Sequence, residues 1–193
     1  GLYKYAQSPA FRVLLLAYSL DGASVQTIDL TETGGRVPDG IFAALTNTEI
    51  IKHAYNAAFE WYCLSQLFKY PLPAEQWRCT MLHGLYCGYP AGLDAAGRAL
   101  GLPEDKRKLA TGKALIRYFC VPCAPTKSNG GRTRNLPRHA PQKWATYKAY
   151  NAQDVETERA VCHALLRHPL PEHEWALYAL DQRINDRGVR VDR

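Results

Sequence analysis

The sequence predicts an α/β fold, and three observations predict it. Short β-prone apolar runs fill the first part of the chain, at residues 11–20, 25–30 and 49–54. The last of these feeds directly into an amphipathic helical pattern at 57–68, which is how a strand and its covering helix read in sequence. From Leu93 onward helical periodicity dominates.

Each element has its own signal. Residues 11–20 and 25–30 flank Asp21-Gly22 and read as a hairpin with one long strand. Residues 37–45 form a short helix, 49–54 a buried strand, and 57–68 a helix ended by Pro71. That order places residues 56–60 at the carboxyl end of a strand, where open α/β sheets hold their ligands. Residues 76–81 read as a further short strand. Residues 93–100 and 104–119 are helices joined by Gly101-Leu102-Pro103, with Pro103 suited to the first helical position. Residues 120–140, broken by Pro122, Pro125, Gly130, Gly131 and Pro137 and carrying Lys127, Arg132, Arg134 and Arg138, form a long basic loop. Residues 142–166 are helical behind Pro141, with Trp144, Tyr147, Val155 and Val161 available for burial, and 172–187 form a last helix ending at Gly188.

A chain of 193 residues is one domain long and large enough to bury a core. Charged residues at 22% and hydrophobic residues at 47% exclude a wholly disordered chain. A net charge of +6 suits a polyanionic partner without requiring one. The six cysteines are scattered, which suits reduced thiols in a cytoplasmic protein. The longest apolar run, Val13-Leu14-Leu15-Leu16-Ala17, is far short of the roughly 20 residues of a membrane helix, so no membrane partner is expected. Cys120-Val121-Pro122-Cys123 with His139 suggests zinc, but structural zinc sites draw four ligands, usually from two such pairs, and there is no second pair; ordinary thiols are the expectation. His53 and His83 sit among apolar residues and read as buried, satisfied histidines. Trp61, Tyr62 and Phe68 read as core.

The chemistry concentrates in two segments. Tyr150 and Asp154 are four residues apart and share one face of a helix, so a phenol and a carboxylate stand side by side. Glu60 lies in the first turn of the helix that follows the strand at 49–54. Hydrolysis of a phosphodiester by two cations about 4 Å apart needs carboxylates converging from separate elements, and Asp154 and Glu60 are the candidates. The plainer alternative makes Glu60 a solvated first-turn residue favoured by the helix dipole and Asp154 a surface residue. Phe59 is the aromatic best placed to stack a base, and Arg98 is a weaker phosphate contact.

Asn56-Ala57-Ala58-Phe59-Glu60 and Tyr150-Asn151-Ala152-Gln153-Asp154 resemble the second and third motifs of the 3′-5′ proofreading exonuclease domain of DNA polymerase I-type (family A) polymerases, in the tyrosine form found in phages and prophages. The phage subgroup is also resembled by Leu2-Tyr3-Lys4-Tyr5-Ala6, by the segments 76–81 and 102–109, and by 180–189, which looks like the lead-in to a polymerase domain. The resemblance covers nearly the whole chain. It implies a ribonuclease H-like three-layer fold with a mixed sheet between helices, an exonuclease-like domain at 1–170 and the start of a polymerase lead-in at 171–193. It further implies Mg²⁺ or Mn²⁺ held by Asp154 and Glu60, with Tyr150 orienting the attacking water. A single-stranded DNA 3′ end would be bound by Asn56, Phe59 and Arg98.

Two departures accompany it. The second motif ends in Glu60 where the family usually has Asp, a reach longer by one methylene. The first motif, Asp-x-Glu on an opening central strand, has no counterpart here, so the expectation is a sheet lacking its first strand and a fragment inactive by itself. The competing expectation is a non-catalytic nucleic-acid-binding or structural module that keeps the fold.

Overall fold

The computed structural model describes residues 1–106 and 112–190. Part of the helix expected at 104–119, and part of the resembled segment 102–109, therefore lies outside the described residues.

The chain opens with a short helix, α1 (Leu2–Ala6), that the sequence pattern did not suggest. Strands β1 (Leu15–Tyr18) and β2 (Gln26–Asp29) pair antiparallel with Leu15 opposite Asp29 and Tyr18 opposite Gln26. The turn between them is made by Asp21 and Gly22, both in the left-handed region. The long strand expected at 11–20 is thus only four residues, because residues 11–14 run on without a partner ladder apart from the Leu30 amide bonded to the Leu14 carbonyl.

Helix α2 (Asp39–Thr46) leads to β3 (Lys52–Ala54), which pairs parallel with β4 (Trp77–Cys79). Between them runs α3 (Ala58–Phe68), completing a strand-helix-strand unit. Helix α3 ends because Lys69 turns left-handed, with φ of 53°, before Pro71 is reached. Ser65 then straps the exit: its hydroxyl donates to the Trp61 carbonyl and accepts the Leu72 amide, while the Trp61 indole N–H donates to the Leu72 carbonyl. Within β3 the expected burial is inverted. Lys52 is buried, its ammonium donating to the Asn47 carbonyl, and His53 is exposed with its ring near the Cys162 thiol.

The strand expected at 76–81 stops at Cys79, and Thr80 starts α4 (Thr80–Tyr86), a helix the apolar alternation had concealed. Helices α5 (Leu93–Ala99), α6 (Gly112–Cys120), α7 (Pro141–Leu165) and α8 (Glu172–Arg187) follow. Residues 121–136 contain no helix or strand. A short 3₁₀ turn, Pro137–His139, carries the chain into α7.

Helix α7, 25 residues long, spans about 37 Å at 1.5 Å per residue. It packs on β1 and β2 near its start and on α4 and α5 farther along. Its inward side chains include Trp144, Tyr150, Thr157, Val161 and Leu165. The fold is thus α/β with small sheets flanked by helices. Where one mixed sheet was expected, the described residues form two separate pairs, one antiparallel and one parallel. The physical reason is that each β-prone run of the chain is already matched within its own pair, leaving no strand to bridge them. Helix α8 docks through Trp175, Ala179 and Gln182, spaced one helical turn apart, with Arg78 lying over the Trp175 ring and bound to Glu172. No helix among the described residues is long and apolar enough to cross a membrane.

Candidate active site

The segment 56–60 forms the turn between β3 and α3. Asn56 adopts φ of 64°, a left-handed conformation that asparagine tolerates better than most residues, and its carbonyl accepts the Phe59 amide at 2.9 Å. This turn sends Phe59 outward, 41% exposed, with its ring stacked near Tyr5 at 6.0 Å between centroids. Glu60 goes inward, and its Oε2 is buried without a hydrogen-bond partner among the described residues.

That burial pushes the Glu60 carboxyl up to about 8; its own main-chain N–H opposes the rise, and the charges of Glu158 and Asp154 add to it. Glu60 on α3 and Asp154 on α7 are therefore within electrostatic reach of one another. Glu158, one turn beyond Asp154 on the same face, joins them. It is 7% exposed and accepts a short hydrogen bond from the Thr80 hydroxyl. Burial raises its carboxyl too, opposed by Thr80 and by Arg159. Glu158 lies outside the site residues expected from sequence, although the spacing Tyr150, Asp154, Glu158 continues one helical stripe.

The surrounding thiols share this low-polarity environment. Burial, with Glu60 nearby, pushes Cys63 up to about 12, and burial with Glu158 pushes Cys162 up to about 11. Among the described residues no group of three His, Cys, Asp or Glu side chains is arranged to hold one ion. At this point Glu60 and Asp154 lie within electrostatic reach of one another, with Glu158 one turn farther along α7.

Tyr150 is placed differently from a phenol standing over an open site. It is 4% exposed, packs in the aromatic cluster of Leu115, Phe119 and Trp144, and stacks on Tyr147 with 6.2 Å between centroids. Its ring lies against the first residue of α6 and leaves no room for a Cβ on Gly112. Arg98 is exposed on α5, the third helix after the Asn56 turn, and is bound to Asp94 of its own helix at 3.0 Å. Cys120, Cys123 and His139 make contacts of their own. The Cys120 thiol meets the Tyr147 hydroxyl, the Cys123 thiol donates to the Arg132 carbonyl, and His139 Nδ1 accepts the Leu136 amide. His83 is buried, with Nε2 at 2.7 Å from the His168 carbonyl.

No protein-family model matches the chain, and no solved structure matches it. A DNA polymerase of Bacillus phage SP02 does: the chain is 49% identical to it over 192 residues, which is 100% of this chain and 29% of that protein's length. The sequence is thus similar throughout its length to part of a phage DNA polymerase.

Proposed function

We propose that this chain is the 3′-5′ exonuclease part of a DNA polymerase, hydrolysing single-stranded DNA 3′ ends to nucleoside 5′-monophosphates. The observation that carries this reading is Glu60, whose Oε2 is buried without a partner among the described residues and faces the charges of Asp154 and Glu158 across from α7. Converging buried carboxylates with an unsatisfied oxygen are costly alone and are relieved by a divalent cation, so the residues fit Mg²⁺ or Mn²⁺. Asp154 and Glu60 would hold it. Bound divalent ions supply an activated water and stabilise the leaving oxygen.

The chain's own residues do the rest. Phe59, exposed beside that carboxylate, offers its face to the terminal base, and Asn56 at the turn offers its amide to the nucleotide. The resemblance assigns orientation of the attacking water to Tyr150, one turn before Asp154, although its ring is packed against Gly112 and Tyr147. The polymerase domain of the same parent chain is the proposed partner. A phage-infected or bacterial cytoplasm is the proposed location.

The test is Mg²⁺-dependent nucleotide release from a single-stranded 3′ end by the protein as its gene encodes it. Asp154→Ala should abolish release with the fold kept, and Tyr150→Phe should reduce it less. Full activity in Asp154→Ala would overturn the assignment. A second reading, a non-catalytic nucleic-acid-binding or structural module, is favoured by the burial of Tyr150 and by the lack of a three-ligand group among the described residues; it predicts no release from the wild-type protein.

A further inference from the structure

Beside α1 lies an open groove made of two adjoining hollows, of about 390 and about 590 Å³. They meet along the segment between α1 and β1, with Phe11, Arg12 and Arg134 lining both. Lys4 lines the first hollow and Lys69 the second, and among the described residues no Asp or Glu lines either. The groove therefore carries four cations and no carboxylate to neutralise them. Arg12 and Arg134 spend hydrogens on main-chain carbonyls, those of Phe11 and Ala10, which fixes the guanidinium groups without cancelling their charge.

An aromatic run enters this groove from the proposed active site. Phe59 stacks near Tyr5, at 25° between ring planes, and Tyr5 meets Phe11 edge-on at 5.4 Å. Tyr5 is 46% exposed, a large apolar surface left open beside cations. Fixed positive charge interleaved with exposed rings matches a ligand that alternates phosphates and bases. A duplex keeps its base faces stacked on one another and offers none of them to an aromatic ring.

We propose that this groove is the track for the single strand behind its 3′ end: Tyr5 stacks a base upstream of the one on Phe59, and Lys4, Arg12 and Arg134 take the phosphates. This rests on the exonuclease reading only for the direction of the strand. The chemistry of the groove stands apart from catalysis, so the two can fail separately.

The experiment is fluorescence anisotropy with the protein as its gene encodes it, in EDTA so that no cleavage occurs, using a labelled dodecathymidylate and a trithymidylate. Lys4 and Arg12 are exposed, so the double variant Lys4→Gln/Arg12→Gln should fold. It should bind the 12-mer about tenfold more weakly, with the salt slope reduced by about 1.4 for two lost single-strand phosphate contacts. Binding of the 3-mer should change little. Tyr5→Leu should weaken the 12-mer about tenfold and leave weak duplex binding as it was. Wild-type affinity and salt slope in the double variant would overturn the track. So would a 12-base-pair duplex competing as well as the single strand while Tyr5→Leu binds normally, which would mark a general polyanion surface. If the groove variants behave as expected but no nucleotide is released when Mg²⁺ is restored, the track stands and the exonuclease reading falls.

Discussion

Asp29 sits at the end of β2 and ties the hairpin to the helix that carries Tyr150 and Asp154. It is 8% exposed. One carboxylate oxygen accepts the indole N–H of Trp144 at 2.6 Å, and the other accepts the Thr31 amide and hydroxyl at 3.1 and 2.6 Å. Replacing Asp29 with Ala strands the Trp144 N–H, which belongs to a residue only 4% exposed, at a cost of about 1–3 kcal/mol. The charge-assisted bonds lost with it are of similar size, and the two overlap, so about 3 kcal/mol is the expected destabilisation. The Lys148 ammonium, 3.7 Å away with its side chain 38% exposed, adds little. For a chain of this length the melting temperature should fall by roughly 6–12 °C.

The pH dependence has a definite sign. Burial pushes the Asp29 carboxyl up, but the bonds from Thr31 and Trp144 together with Lys148 outweigh it and hold the carboxyl below its ordinary value. A carboxyl depressed in the folded state contributes stability above its unfolded pKa, about 3.9, and loses it as pH falls through the folded value. The gap between wild type and Asp29→Ala should therefore be widest near pH 7 and narrow in acid. Urea unfolding of both proteins at pH 7 and pH 3, followed by tryptophan fluorescence, measures it. A difference under about 0.5 kcal/mol at pH 7, the range of ordinary surface substitutions, would refute the anchoring role.

Gly112→Ala drives a methyl into the Tyr150 ring; it should cost about 1–3 kcal/mol by overpacking and lower nucleotide release by displacing Tyr150, both readable from a melt and a single-strand assay. Cys63 and Cys162, with thiols held at about 12 and about 11, should alkylate with iodoacetamide at pH 8 far more slowly in the folded protein than in urea, because thiolate is the reacting form; equal rates would show these thiols to be accessible. Protein purified without chelator should contain well under one zinc per chain, and stoichiometric zinc, or unfolding on chelation, would show that Cys120 and Cys123 are ligands.

Much of the secondary structure was legible because it is governed by local signals. The last helix was read with its true bounds, Glu172 to Arg187, since Gly188 with φ of 73° marks its end. Helix α7 was read to within a residue from Pro141 and its apolar spacing. Strand ends were less legible, because a ladder stops where its partner stops and that partner is distant in sequence: hence β1 begins at Leu15 and not at Phe11. Thr80–Tyr86 was missed because a seven-residue helix starting directly from a strand offers too few turns to show a period.

The identity of the candidate acids, Glu60 and Asp154, and their spacing from Asn56 and Tyr150 are properties of the sequence alone. Their environment is a property of the tertiary structure. Glu60 could equally have faced water from the first turn of α3; the left-handed turn at Asn56 points it inward, and the meeting of α3 with α7 sets it against Asp154 and Glu158. Likewise Tyr150 is buried because Gly112 on a separate helix leaves room for its ring. The groove of Tyr5, Arg12 and Arg134 draws its residues from α1, from the segment before β1 and from the 121–136 loop, and no spacing along the chain announces that they meet. Local sequence sets which residues are available and how each turn begins. Long-range packing decides which of them lose their water, and with it their chemistry.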